Sequence, residues 1–272
     1  MDRVRVNKTK AKLNEGKAVL GSICNLRDPA VVEIMGWADY DFVFIDMEHS
    51  GTDFDHVQSL VRAAEMGDVT PLVRIREGAY ATISPLLEMG VQGIVVPRVK
   101  STADLREAIR WIKFPPQGRR GVCSNGGRTW RYSGTITPAE AEEGNAQTLV
   151  VALIEEKELL DDLDNFAATE GLDVVSLALQ DMAGSLGVVG QPNHPKVQDS
   201  LRLVEEAVER NGKVKLGGLC LNPADIGVEL KRGRRFIMCP VGDTSVLYNA
   251  YSSAMEQVKQ AVGADASLRN LL

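Results

Sequence analysis

Along the chain, short β-branched and apolar runs alternate with longer stretches whose apolar positions recur every three to four residues. The short runs are VLGSICN (19–25), FVFIDM (42–47), TPLVRI (70–75), GIVVPRV (93–99), LVVALIEE (149–156), VVSLALQD (174–181), KLGGLCL (215–221) and FIMCPV (236–241). Near-continuous apolarity is what a parallel strand buried on both faces requires, and the longer period is that of a helix with one buried stripe. Helical stretches fall at 29–38, 54–66, 79–89, 102–113, 157–168, 196–211, 223–232 and 244–261. Ser101 and Thr102 followed by Asp104 and Glu107 read as a helix start, and Gly90, Gly212 and Gly233 as helix stops. Eight such units predict an α/β fold, a single (β/α)8 barrel over residues 1–272. An open doubly wound sheet is the competitor, but no GxGxxG follows the first strand and GxxxxGK[ST] is absent.

Two stretches break the rhythm. Residues 1–17 predict a polar amphipathic helix that would cover the N-terminal end of the barrel. The segment from Pro115 to Asn145, rich in Gly, Arg and Ser, is a long connection expected to cover a site or to contact a neighbouring subunit.

Composition narrows the classes of function. With 44% apolar and 25% charged residues the chain can bury a large core, and no run approaches the roughly 18 to 20 apolar residues of a membrane span. The polar start MDRVRVNKTKAKL does not read as a secretion signal, so a cytoplasmic protein is expected. Thirty-one basic against 37 acidic residues give −6, which argues against a nucleic-acid partner. Cys24, Cys123, Cys220 and Cys239 are scattered, without a CxxC pair or a flanking histidine cluster, and predict neither disulfides nor zinc.

In a β/α barrel, chemistry belongs at the C-terminal ends of the strands, where the loops converge. The ionisable groups there are Asp46, Glu48, His49, Arg74, Arg76, Arg98, Lys100, Glu155, Glu156, Lys157 and Asp181. Alternation allows only one of Glu155 and Glu156 to point inward. If Glu155 does, it and Asp181 become neighbouring carboxylates, the oxygen donors of an open Mg²⁺ or Mn²⁺ site. The alternative is that either acid caps a helix or pairs with Lys157. His49 is placed to move protons near neutral pH or merely to fix its own loop. Arg74 would stabilise developing negative charge, or pair with Asp46 or Glu48. Strand six lacks the lysine a Schiff-base route needs, which favours metal-dependent chemistry.

The stretches ADYDFVFIDMEHSG (38–51), PLVRI (71–75), LLEMGVQGIVVPRV (86–99), FPPQGRRGV (114–122), LIEEKE (153–158) and GQPNHPKV (190–197) carry a resemblance. The chain resembles the HpcH/HpaI class II aldolases of the pyruvate and phosphoenolpyruvate barrel superfamily from about Leu13 to Val262. The resemblance implies a carbon–carbon lyase that joins pyruvate or a related 2-oxo acid to an aldehyde. It implies that Glu155 and Asp181 bind a divalent metal, Mg²⁺ or Mn²⁺ with Co²⁺ as an alternative. It further implies His49 as proton shuttle, Glu88 as the acid that orients it, Arg74 as the group stabilising the enolate, and Asp46 near the metal's water shell. A homohexamer, a trimer of dimers exchanging the helix at 244–261, is implied as well. Leu153 stands where relatives carry Gln, and Ala178, Leu179 and Gln180 replace Gly-Pro-x before the metal aspartate. These four frame the 2-oxo acid, so the substrate is expected to differ. Condensation with another electrophile, oxaloacetate decarboxylation and a silent scaffold are the alternative functions.

Overall fold

The computed structural model describes residues 3–123, 125 and 127–264, without the side chains of 263 and 264. Eight strands pair in parallel in chain order and close on themselves: β1 (Val19–Cys24), β2 (Phe42–Asp46), β3 (Thr70–Arg74), β4 (Gly93–Val96), β5 (Leu149–Ile154), β6 (Val174–Leu177), β7 (Lys215–Leu219) and β8 (Arg234–Gly242). This is the expected (β/α)8 barrel. Each strand is apolar on both faces because alternate residues serve two cores. Phe42, Phe44, Leu72, Val95, Leu149, Val151, Leu153, Val174, Phe236 and Met238 fill the interior. Their neighbours, such as Val43, Ile45, Val73, Val150, Ala152 and Ile154, pack outward against the helices. Phe42 and Phe236 stack at 4.1 Å, and only glycine fits beside them, since a β-carbon on Gly21 would lie 2.2 Å from the Phe42 ring.

The helices are α1 (Lys8–Asn14), α2 (Pro29–Trp37), α3 (Phe54–Met66), α4 (Tyr80–Glu88), α5 (Thr102–Ile112), α6 (Pro138–Gln147), α7 (Leu163–Ala167), α8 (Leu179–Ser185), α9 (Pro195–Asn211), α10 (Ile226–Lys231) and α11 (Asp243–Ala264). Ser101 caps α5 by accepting from the Asp104 N–H, as its position predicts. Among the described residues no helix is long and apolar enough to cross a membrane.

α1 does cover the N-terminal end of the barrel, although it is shorter than residues 1–17, of which 1 and 2 lie outside the described residues. Leu13 enters the interior core, Thr9 Oγ1 donates to the Asp41 carbonyl, and Asn7 Nδ2 donates to the Gln92 carbonyl. Three boundaries differ from expectation. The stretch 157–168 divides into a 3₁₀ turn, Lys157–Asp162, and α7. The sixth strand stops at Leu177, so Ala178 to Asp181 enter a helix. The long connection contains α6, closed at its start by a reciprocal Thr137–Glu140 capping box. That connection folds against the N-terminal end of the barrel: Arg128 pairs with Glu65 on α3, and Lys113 Nζ donates to the Asn145 and Thr148 carbonyls.

Candidate active site

Asp46 and Arg74 are the last residues of β2 and β3 and stand opposite each other in register. They continue the inward alternation of Phe42 and Phe44 on one strand and Leu72 on the other, so both face the barrel mouth. Arg74 grips Asp46 with two bonds, Nε to Oδ1 at 2.9 Å and Nη2 to Oδ2 at 2.7 Å. Asp46 is 1% exposed and also accepts from the backbone N–H groups of Glu48 and His49. Burial alone would raise the Asp46 carboxyl, but the Arg74 bonds and charge and those two N–H groups outweigh it and hold it below the usual range.

Glu48 gathers the cations around it. Its Oε1 accepts from Arg98 Nε at 3.2 Å, and its Oε2 lies 3.5 Å from both Arg74 Nε and His49 Nε2. That Oε2 is buried yet accepts no hydrogen bond. His49 itself is half exposed at the mouth, its side chain 52% accessible.

Glu155 directly follows β5 and keeps the inward parity of Leu149, Val151 and Leu153, whereas Glu156 turns toward Arg98 Nη1 at 3.8 Å. Glu155 is 3% exposed, and its Oε2 accepts from the Arg98 backbone N–H at 2.6 Å. Arg98 holds that N–H inward from a left-handed backbone conformation, φ 51°. Burial first, and then the charges of Asp181 and Glu48, push the Glu155 carboxyl up to about 7 against the Arg98 N–H and Arg74. Asp181 sits in the first turn of α8, half-buried, and not at the end of a strand. Leu153 is buried at the inner wall, Ala178 and Leu179 are half-buried, and Gln180 is exposed.

The barrel mouth therefore brings together Asp46, His49, Arg74, Glu155 and Asp181. Glu88 does not join them. As the last residue of α4, which runs from the end of β3 back to the start of β4, it lies at the opposite end of the barrel. Its carboxylate pairs with Arg120 at 3.0 Å and packs on Gly127, so within the chain it cannot orient His49, whose acidic neighbour is Glu48. Glu48 is two residues after Asp46, and alternation alone gives it the inward direction. The Arg98 backbone contact carries no comparable signal in the sequence.

Among the described residues no group of three or more His, Cys, Asp or Glu side chains is close enough to hold a metal ion. The donor set is a pair of carboxylates. Glu155 has a single N–H donor, and Asp181 repels its charge, so a cation between them would relieve that repulsion. Hard oxygen donors that leave positions open to water or substrate oxygens fit Mg²⁺ or Mn²⁺.

A profile of HpcH/HpaI aldolase/citrate lyase proteins matches residues 22–249. The chain belongs to the HpcH/HpaI aldolase/citrate lyase family. A hydroxypyruvate/pyruvate aldolase of Roseobacter denitrificans is 31% identical to this family member over 255 residues, which is 94% of this chain and 98% of that one. An HpcH/HpaI aldolase of Desulfitobacterium hafniense superposes with a TM-score of 0.84 at 32% identity, covering 92% of this chain and 96% of its own. The citrate synthase SbnG superposes with a TM-score of 0.83 at 28% identity, covering 94% and 98%. Membership makes the chain an enzyme of the aldolase class.

Proposed function

We propose that the chain is a class II aldolase that forms or cleaves a 4-hydroxy-2-oxo acid, with pyruvate or a related 2-oxo acid and an aldehyde as partners. The observation that carries this reading is one barrel mouth holding the buried Glu155, with Asp181 beside it, near an arginine oriented by Asp46. Glu155 and Asp181 would hold a divalent ion, Mg²⁺ or Mn²⁺, and that ion would supply Lewis acidity to the oxygens of the 2-oxo acid. In the cleavage direction the C4 hydroxyl loses its proton, the C3–C4 bond breaks, and its electron pair moves through C3 onto the keto oxygen. Arg74 presents a fixed positive charge to that oxygen, and Asp46 keeps its guanidinium from turning away. His49, exposed at the mouth beside Glu48, takes the hydroxyl proton. The aldehyde leaves, and C3 is protonated.

Leu153 supports a second reading. It is buried at the inner wall where relatives carry Gln, so the same nucleophile could meet a different electrophile, and one superposable structure is a citrate synthase. Helix α11 exposes Tyr248, Tyr251 and Met255, which supports its exchange between subunits of a hexamer.

The test is deuterium exchange. Protein, Mg²⁺ or Mn²⁺ and pyruvate in D₂O should lose the methyl proton signal. The loss should stop with EDTA and in Arg74→Ala. Exchange that persists unchanged in Arg74→Ala, or its absence from the parent, overturns the reading.

A further inference from the structure

A cavity lined by several arginines lies at the other end of the barrel. It has a volume of about 530 Å³ and lies where Gln92 and Thr148 precede β4 and β5, whereas Asp46, Arg74 and Glu155 stand at strand C-terminal ends. Five arginines line it: Arg3, Arg5, Arg120, Arg128 and Arg131. Three of them have close carboxylate partners. Arg3 pairs with Glu140, Arg120 with Glu88, and Arg128 takes both oxygens of Glu65. Arg5 is left 3.9 Å from a Glu65 already held by Arg128, and Arg131 at the rim makes no ion pair among the described residues. Set against their partners Glu65, Glu88 and Glu140, the five arginines leave an excess of two positive charges.

Its donors are incompletely used as well. Arg5 Nη1 and Arg120 Nε are buried without a hydrogen-bond partner, and the Arg120 side chain, 2% exposed, is sandwiched against Phe114 and Trp130. Buried cationic donors without acceptors are costly, and an anion within reach removes the cost. Gly90 keeps the wall open for Arg128, because a β-carbon there would meet Arg128 Nη1 at 3.0 Å. The planar guanidinium fork matches carboxylate or phosphate oxygens, and the volume suits a small metabolite.

We propose that this cavity binds a small dianion, a dicarboxylate or a phosphate compound, at a site separate from the barrel mouth. Neither Arg5 nor Arg131 touches the candidate active site, so they can be changed without altering it.

The experiment is calorimetric titration of the full chain, in the presence of Mg²⁺, with succinate and with inorganic phosphate. Saturable binding of either probe is expected, and the probe that binds names the class. The Arg5→Gln/Arg131→Gln double variant should weaken it about tenfold, and Arg74→Gln should leave it unchanged. Arg131→Gln alone, at the exposed rim, should weaken it less and gives a second reading should the double variant fold poorly. No saturable binding at millimolar probe overturns the proposal. So does binding that survives both cavity variants, or that is lost in Arg74→Gln and therefore belongs to the barrel mouth.

Discussion

Asp46→Asn tests the electrostatic logic of the barrel mouth most directly. The carboxylate is 1% exposed, receives both arms of Arg74, and accepts the Glu48 N–H at 2.9 Å and the His49 N–H at 3.3 Å. Asparagine keeps one carbonyl oxygen, enough for the contacts to Oδ1, but turns an NH₂ toward Arg74 Nη2, donor against donor. One charge-assisted bond is lost, worth about 1.5–3 kcal/mol, and the guanidinium, its side chain 12% exposed, loses its close counter-charge. Breaking a buried pair from one side costs about 3–5 kcal/mol, and since Glu48 still lies 3.5 Å away the lower end applies. We expect a loss of about 3 kcal/mol, or roughly 5 °C in Tm for a chain of this size. Far-ultraviolet circular dichroism melts measure it, and a cycle with Arg74→Met isolates the pair. The two single changes should be non-additive by about 1.5 kcal/mol or more. Additivity within about 0.5 kcal/mol would show that the two residues do not depend on each other.

Two further perturbations probe the scaffold. Burial lowers the Lys113 ammonium to about 7 while it donates to the Asn145 and Thr148 carbonyls. Between about 7 and its unfolded value of 10.5 the unfolded chain binds a proton that the folded chain lacks, so this group makes stability rise with pH across that window. Urea midpoints at pH 7 and pH 9 should show that rise in the parent and a smaller one in Lys113→Met; equal slopes would refute it. A β-carbon on Gly93 would lie 2.6 Å from Leu72 Cδ2 and 2.9 Å from the Leu149 carbonyl oxygen, so Gly93→Ala should cost about 1–3 kcal/mol by overpacking. An unchanged melting temperature would mean that β3, β4 and β5 yield more easily than these contacts imply.

The barrel was legible because two apolar faces per strand leave a strong imprint, and each of the eight runs contains most or all of its strand. Helix α6 was not, because PAEAEEGNAQ carries no apolar stripe: its buried residues are Gly144 and Asn145. Its Thr137–Glu140 box was the available sign. Helix α8 was hidden because VVSLALQD continues to look like a strand after the backbone has turned at Ala178. Alternation left Glu155 and Glu156 as alternatives for the inward position, and the structure turns Glu155 in and Glu156 toward Arg98; the same parity, counted from Asp46, directs Glu48 inward. Within the chain Glu88 stands away from His49, as the fold itself implies: a helix that follows a barrel strand ends at the bottom, away from the loops at the top.

The left-handed turn at Arg98 separates two duties that usually fall to one residue. Restraint of the carboxylate beneath belongs to a peptide nitrogen, which every amino acid except proline supplies. What projects into the entrance is the side chain, 56% accessible and tethered to Glu48 and Glu156. Glycine would keep the donor and relax the torsion, so the charge at the entrance could be removed without losing the anchor. A change at this single codon would thus alter the charge at the barrel mouth while the Glu155 contact stays in place.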